Sequence, residues 1–121
     1  MQVIPLAPGY TEQICWDSTD PKAKGRLAYH SASQRCITYY PRWWLKPIWS
    51  YIYPIIKNHE RGHSHGIRRC LGEHSWCIMA EETAGKDSWV GKLVLWPNQL
   101  WHGITFCETC AQYLRDKTIP L

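Results

Sequence analysis

The stretch IWSYIYPIIKNHERGHSHG, Ile48 to Gly66, decides how this chain is read. Trp49, Ile52, Tyr53, Ile56, Glu60 and His63 recur at steps of three and four, the spacing of one helix face. Pro54 interrupts the run, so the helix either kinks there or starts there with proline in its first turn. Gly66 supplies the stop, because glycine readily takes the left-handed conformation that closes a helix. The main helix is therefore expected over about residues 54–64, with an aromatic lead-in.

At its C-terminal end lies His59-Glu60-Arg61-Gly62-His63. Two histidines at i and i+4 meet on one helix face, so both imidazoles can reach one metal ion. An ion used for hydrolysis needs protein ligands and one open position for water. Glu60 sits one residue on, where its carboxylate could take a proton from that water. The bland alternative is an exposed helix end with incidental histidines. The apolar run before the motif and the glycine after it favour the zinc helix.

Outward from this helix, the chain reads as one α+β domain of 121 residues, a length suited to a single modest core. Residues 1–47 form a strand-rich N-terminal part, 48–66 the HExxH helix and 67–121 a cysteine-bearing C-terminal part. A short strand is expected at Val3-Ile4, then a loop through Asp17–Pro21. Two strands follow at 26–31 and 35–40, joined by the polar turn Ser31–Gln34. Residues 67–105 look mostly irregular, with a possible strand at Lys92–Trp96. Glu108–Lys117 reads as a terminal helix with Ala111 and Leu114 facing inward.

Apolar residues make up 45% and charged residues 20%, which excludes a disordered chain. The net charge of +4 is scattered, and Arg68-Arg69 is too short a cluster to argue for nucleic acid. Met1–Gly9 lacks a basic region followed by a long apolar run, and no stretch approaches a membrane span. A soluble, cytoplasmic protein with no membrane partner is the expectation. Six cysteines in a reducing compartment point to metal before disulfides. Cys107-x-x-Cys110 is a common half-site, and a second pair is available; a redox role would need a thioredoxin-like setting, of which there is no sign. Cys36 is expected to be buried, and a Cys15–Cys36 disulfide is left open. Trp43, Trp44 and Trp49 read as core packing, with a substrate groove as the alternative.

His59-Glu60-x-x-His63-x-x-Gly66, Cys70, Cys77-x-Met79 and Cys107-x-x-Cys110 together resemble the archaemetzincins, a branch of the metzincin zinc peptidases. The likeness covers roughly residues 50–117. It implies a reduced metzincin-like domain, a short mixed sheet packed on the active-site helix and stapled by zinc. It also implies two zinc ions per chain. His59 and His63 would hold the catalytic one, with Glu60 as general base and Met79 as the methionine beneath it. Cys70, Cys77, Cys107 and Cys110 would hold a structural one. Strand 26–31 would be the edge strand that receives a peptide or protein substrate. On residue type alone, Met79 could equally be a core methionine.

Arg69 stands where the family has its third histidine ligand, and arginine has no lone pair to offer a metal. The segments Cys70–Cys77 and Met79–Cys107 are also longer than in the family. His74 is the preferred replacement ligand; His102, Glu81 and Glu82 are others, and His65, though close in sequence, points off the His59/His63 face. The leading expectation is thus a zinc peptidase. The alternative is a catalytically inactive zinc-binding module that engages a protein or peptide.

Overall fold

The computed structural model describes residues 3–24, 26–74, 77–79 and 105–119. Among these residues, a mixed three-stranded sheet, two α-helices and two short 3-10 helices make up the regular structure, an α+β arrangement. Strand β1 (Thr11–Ile14) runs parallel to β3 (Cys36–Tyr39), and β2 (Ala28–Ser31) pairs antiparallel with β3 on its other side. The β2–β3 hairpin lies where turn chemistry and β-branched residues predict it. Ser31 Oγ accepts the Gln34 N–H, and Arg35 takes a positive φ of 49° to close the turn. The order β1-β3-β2 leaves β2 as an edge strand among the described residues.

No strand forms at Val3-Ile4. The Ile4 N–H instead donates to Asn58 Oδ1 at 2.9 Å, and its carbonyl accepts from Arg61 Nη1 at 2.8 Å. Its side chain is buried, at 1% exposure. Two helix side chains thus satisfy the backbone that a sheet would otherwise pair. The expected strand at Lys92–Trp96 lies outside the described residues.

The long helix α1 spans Trp49–Ser64 and starts five residues before Pro54. Proline removes one ladder hydrogen bond there, a cost of about 3 kcal/mol in a helix interior. Burial outweighs it: Ile52 and Ile56 join Leu27, Ala28, Ile37, Tyr39 and Leu45 in the cluster between helix and sheet. Rings reinforce the contact, with Trp49 stacked on Tyr53 at 4.9 Å and Tyr53 edge-on to Tyr39 at 5.1 Å. A short 3-10 segment, Trp43–Ile48, leads in and buries Leu45. Trp43 and Trp44, expected in the core, are instead 69% and 45% exposed, because Leu45 takes the inward position of that turn.

A second apolar cluster gathers Ile4, Ile67, Ile78, Met79, Phe106, Leu114 and four cysteines. Helix α2 (Glu108–Asp116) buries Ala111 and Leu114 there, as its periodicity predicts. Cys36 is half-buried rather than buried, since its strand position faces away from both clusters; Cys15 is also half-buried, and both are free thiols. Among the described residues, no helix is long and apolar enough to cross a membrane.

An ion pair ties helix to sheet. Arg61 donates Nε and Nη2 to the Glu12 carboxylate at 3.1 and 2.6 Å, and Tyr39 donates its hydroxyl at 2.6 Å. Burial alone would push the Glu12 carboxyl up. The bonds from Arg61 and Tyr39 and the charges of Arg61 and Lys57 outweigh it and hold it below the usual carboxylate range. A carboxyl depressed in the folded state stabilises above its unfolded value, and that contribution is lost as pH falls through the folded value. Glu12→Gln should therefore cost about 1–2 kcal/mol near neutral pH, the pair being partly wet. The gap to the native chain should close as pH drops below 4.5. Urea unfolding across a pH series checks this; a gap that stays constant into acid would remove the assigned role.

Candidate metal centres

Helix α1 ends in a tight closure. Gly66 sits at φ 101°, its N–H donates to His63 O at 3.0 Å, and the Ile67 N–H donates to Gly62 O at 3.1 Å. This pair of bonds is the Schellman arrangement. It folds Ile67 back against the helix, where its carbonyl oxygen lies 2.7 Å from His63 Nδ1. One turn earlier, His59 Nδ1 lies 2.7 Å from the Ile78 carbonyl oxygen.

A carbonyl oxygen only accepts, so both Nδ1 atoms carry hydrogen. In neutral rings the two Nε2 atoms then carry no hydrogen, and they face each other at 3.0 Å. Opposed lone pairs at that distance repel, and a cation between them removes the conflict. Burial holds the His63 imidazole below its usual range, against a smaller opposing effect of the Ile67 carbonyl, which disfavours a proton in that role. Glu60 is 4% exposed, and one carboxylate oxygen lies within 4.8 Å of the ligand nitrogens of both histidines. The donor set of His59, Glu60 and His63 fits a metal ion.

Met79, wholly buried, lies against this helix at Gly62, between the two histidine positions. A Cβ on Gly62 would collide with Met79 Sδ, so only glycine lets the thioether come this close.

The second centre joins Cys70, Cys77, Cys107 and Cys110, all buried, with sulfurs within 4.8 Å of one another. Cys70 Sγ is 3.4 Å from Cys107 Sγ, and Cys77 Sγ is 3.8 Å from Cys110 Sγ. Backbone N–H groups point at the sulfurs: Leu71 to Cys110, His74 to Cys70, and both Met79 and Cys107 to Cys77, at 3.3–3.4 Å. Such donors stabilise thiolates. Without an ion, the bond to Cys110 and then burial push the Cys77 thiol well up, and burial raises Cys107. Four sulfurs at these spacings, ringed by N–H donors, fit a tetrahedral thiolate site for a metal ion.

His74 does not join the histidine pair. Its N–H is committed to Cys70 Sγ, which holds the residue at the cysteine cluster, with its ring over Gly72 and beside Thr109. His65 turns to the Pro5 carbonyl at 2.8 Å, and Arg69 is exposed. Glu81, Glu82 and His102 lie outside the described residues. Sequence reading passed over His30 and Tyr10. The His30 ring stacks on His63 at 5.7 Å and on Tyr10 at 5.5 Å, and Tyr10 Oη lies 2.9 Å from His30 Nε2. Only the pairing of distant segments brings them there; a histidine in the hairpin beside an expected metal helix was the one available signal.

Comparison with protein-family models, with curated proteins and with solved structures gives no match.

Elemental analysis should find two metal ions in the native chain and one in His59→Ala/His63→Ala. Equal counts in both would empty the histidine site. Gly62→Ala should destabilise by about 1–3 kcal/mol, the cost of forcing an extra methyl into a packed contact. Thermal unfolding reads this directly, and an unchanged midpoint would show that Met79 moves aside freely.

Proposed function

We propose that the chain is a zinc-dependent peptidase of archaemetzincin type, with one catalytic and one structural zinc. The observation that carries the reading is the convergence of two histidine Nε2 atoms, 3.0 Å apart, beside a buried glutamate. Zinc suits both donor sets. At Zn–N and Zn–S lengths near 2.0 and 2.3 Å, ligands sharing one ion lie about 3–4 Å apart. A catalytic zinc supplies a Lewis acid that acidifies water and polarises a carbonyl.

The chain's own groups do the rest. Glu60 takes a proton from the attacking water, and its burial keeps competing solvent from that carboxylate. As the C–N bond breaks, Glu60 returns the proton to the departing amine, so the carboxylate is restored. His59 and His63 would hold the ion without rotating, because each ring is tethered at Nδ1. Edge strand β2 carries His30 against His63, so an extended peptide added along β2 would run past the pair.

One observation favours a second reading. Among the described residues, only Glu60 joins the histidine pair in a group that could hold an ion, and Arg69 stands where the family has a histidine. That pattern suits a zinc-binding module that holds a protein or peptide without cutting it.

Glu60→Gln separates the two. The peptidase reading expects cleavage of a denatured protein substrate to fall at least ~100-fold while zinc content stays at the native level. Activity that survives the substitution would overturn Glu60 as the base. A native chain with both zincs and no cleavage of a broad peptide library would give the binding module the lead.

A further inference from the structure

The two carbonyls that fix the histidine rings are not part of α1. Ile78 is bonded directly to Cys77, and its peptide lies in the turn that wraps the Cys77 sulfur: the next residue, Met79, donates its N–H to Cys77 Sγ at 3.4 Å. Ile67 stands three residues before Cys70. At 3.3–3.6 Å per residue, a fixed Cys70 confines the Ile67 carbonyl to within about 10 Å, and a fixed Cys77 confines Ile78 far more tightly. The segments themselves offer few other restraints. Between Ile67 and Met79 the described residues form no strand and no helix; Leu71, His74 and Met79 donate their N–H groups to the sulfurs, and the Ile78 N–H donates to the carbonyl of Thr105, two residues before Cys107.

We infer that the cysteine cluster is the positioning element of the histidine site, so the two centres bind metal cooperatively and the cysteines fill first. This rests on the reading of both clusters as metal sites. An ion on the four sulfurs draws Cys77 and Cys107 together and sets the Ile78 carbonyl, which then holds the His59 ring with its Nε2 toward His63. With the cluster open, the Ile78 carbonyl loses its anchor, and His59 loses the partner that selects its tautomer. His63 depends less on the cluster, because the helix closure at Gly66 also holds Ile67 in place. The coupling therefore runs through His59. Reciprocity requires an ion on the histidines to tighten the cysteine site by the same factor.

Cobalt(II) is the probe, since thiolate-to-cobalt absorption reports the cysteine site and visible bands lost in His59→Ala/His63→Ala report the histidine site. Titration of the metal-free full chain should saturate the thiolate signal before the histidine bands appear. In Cys110→Ser, with α1 shown intact by circular dichroism, cobalt should bind the histidines at least about fivefold more weakly. Histidine bands that fill first, or an affinity within twofold of native, would overturn the inference. Should Cys110→Ser unfold, the native chain decides. One equivalent of zinc, filling the cysteines alone, should fix the His59 ring with its proton on Nδ1, read by nitrogen NMR, and a ring unchanged by that first equivalent would overturn the inference. Two ions that bind independently leave the peptidase reading standing. A native chain that takes only one removes the histidine site, and both conclusions with it.

Discussion

The described residues after Gly66 depend on four sulfur atoms sharing a space less than 5 Å across. The described part of that region has one nine-residue helix and no strand, so backbone pairing gives it little order. Cysteines supply four of the twelve buried members of its apolar cluster. A cluster that rich in sulfur is a poor oil drop but a good ligand cage. Neutral thiols crowded at 3.4–3.8 Å gain little from one another, whereas thiolates around an ion gain a great deal. The same contacts that would hold the ion place Ile78 and Met79 beneath α1, so the order of the C-terminal part is passed on to the helix.

The helix in turn serves two unlike neighbours. Its apolar side, Ile52 and Ile56, packs on the sheet, while its last two turns carry polar groups with assigned partners. Asn58 and Arg61 hold the N-terminal segment through the backbone of Ile4, and Arg61 also holds the sheet through Glu12. The motif residue between Glu60 and Gly62 is thus a structural bolt, and its charge is neutralised before it reaches the histidines.

Periodicity made the helix, the hairpin and α2 readable, because each is decided within a dozen residues. Spacing also brought the two histidines and the Cys107-x-x-Cys110 half-site into view, while Cys70 and Cys77 were singled out by the family resemblance. What could not be read depended on distant partners. Val3-Ile4 has strand composition, yet its hydrogen bonds go to residues more than fifty positions away. Pro54 marks a helix start by local rules, and burial on the sheet overrides them. His74 is well placed in sequence to reach the histidine pair, but its backbone belongs to Cys70. The His30 stack exists only because the hairpin folds over the end of α1.

The closure at Gly66 gives the interval between His63 and that glycine a meaning of its own. In a Schellman ending the left-handed residue and the one after it have fixed places relative to the last turn. Glycine three residues beyond the histidine puts the following carbonyl beside the imidazole. The phrase His-x-x-Gly is therefore a ruler rather than a label. A chain that needs a histidine held by its Nδ1 at the mouth of a helix arrives at that interval from geometry, whatever its ancestry. One residue inserted or deleted within Ser64-His65 would leave every ligand in the sequence and still turn the ring loose.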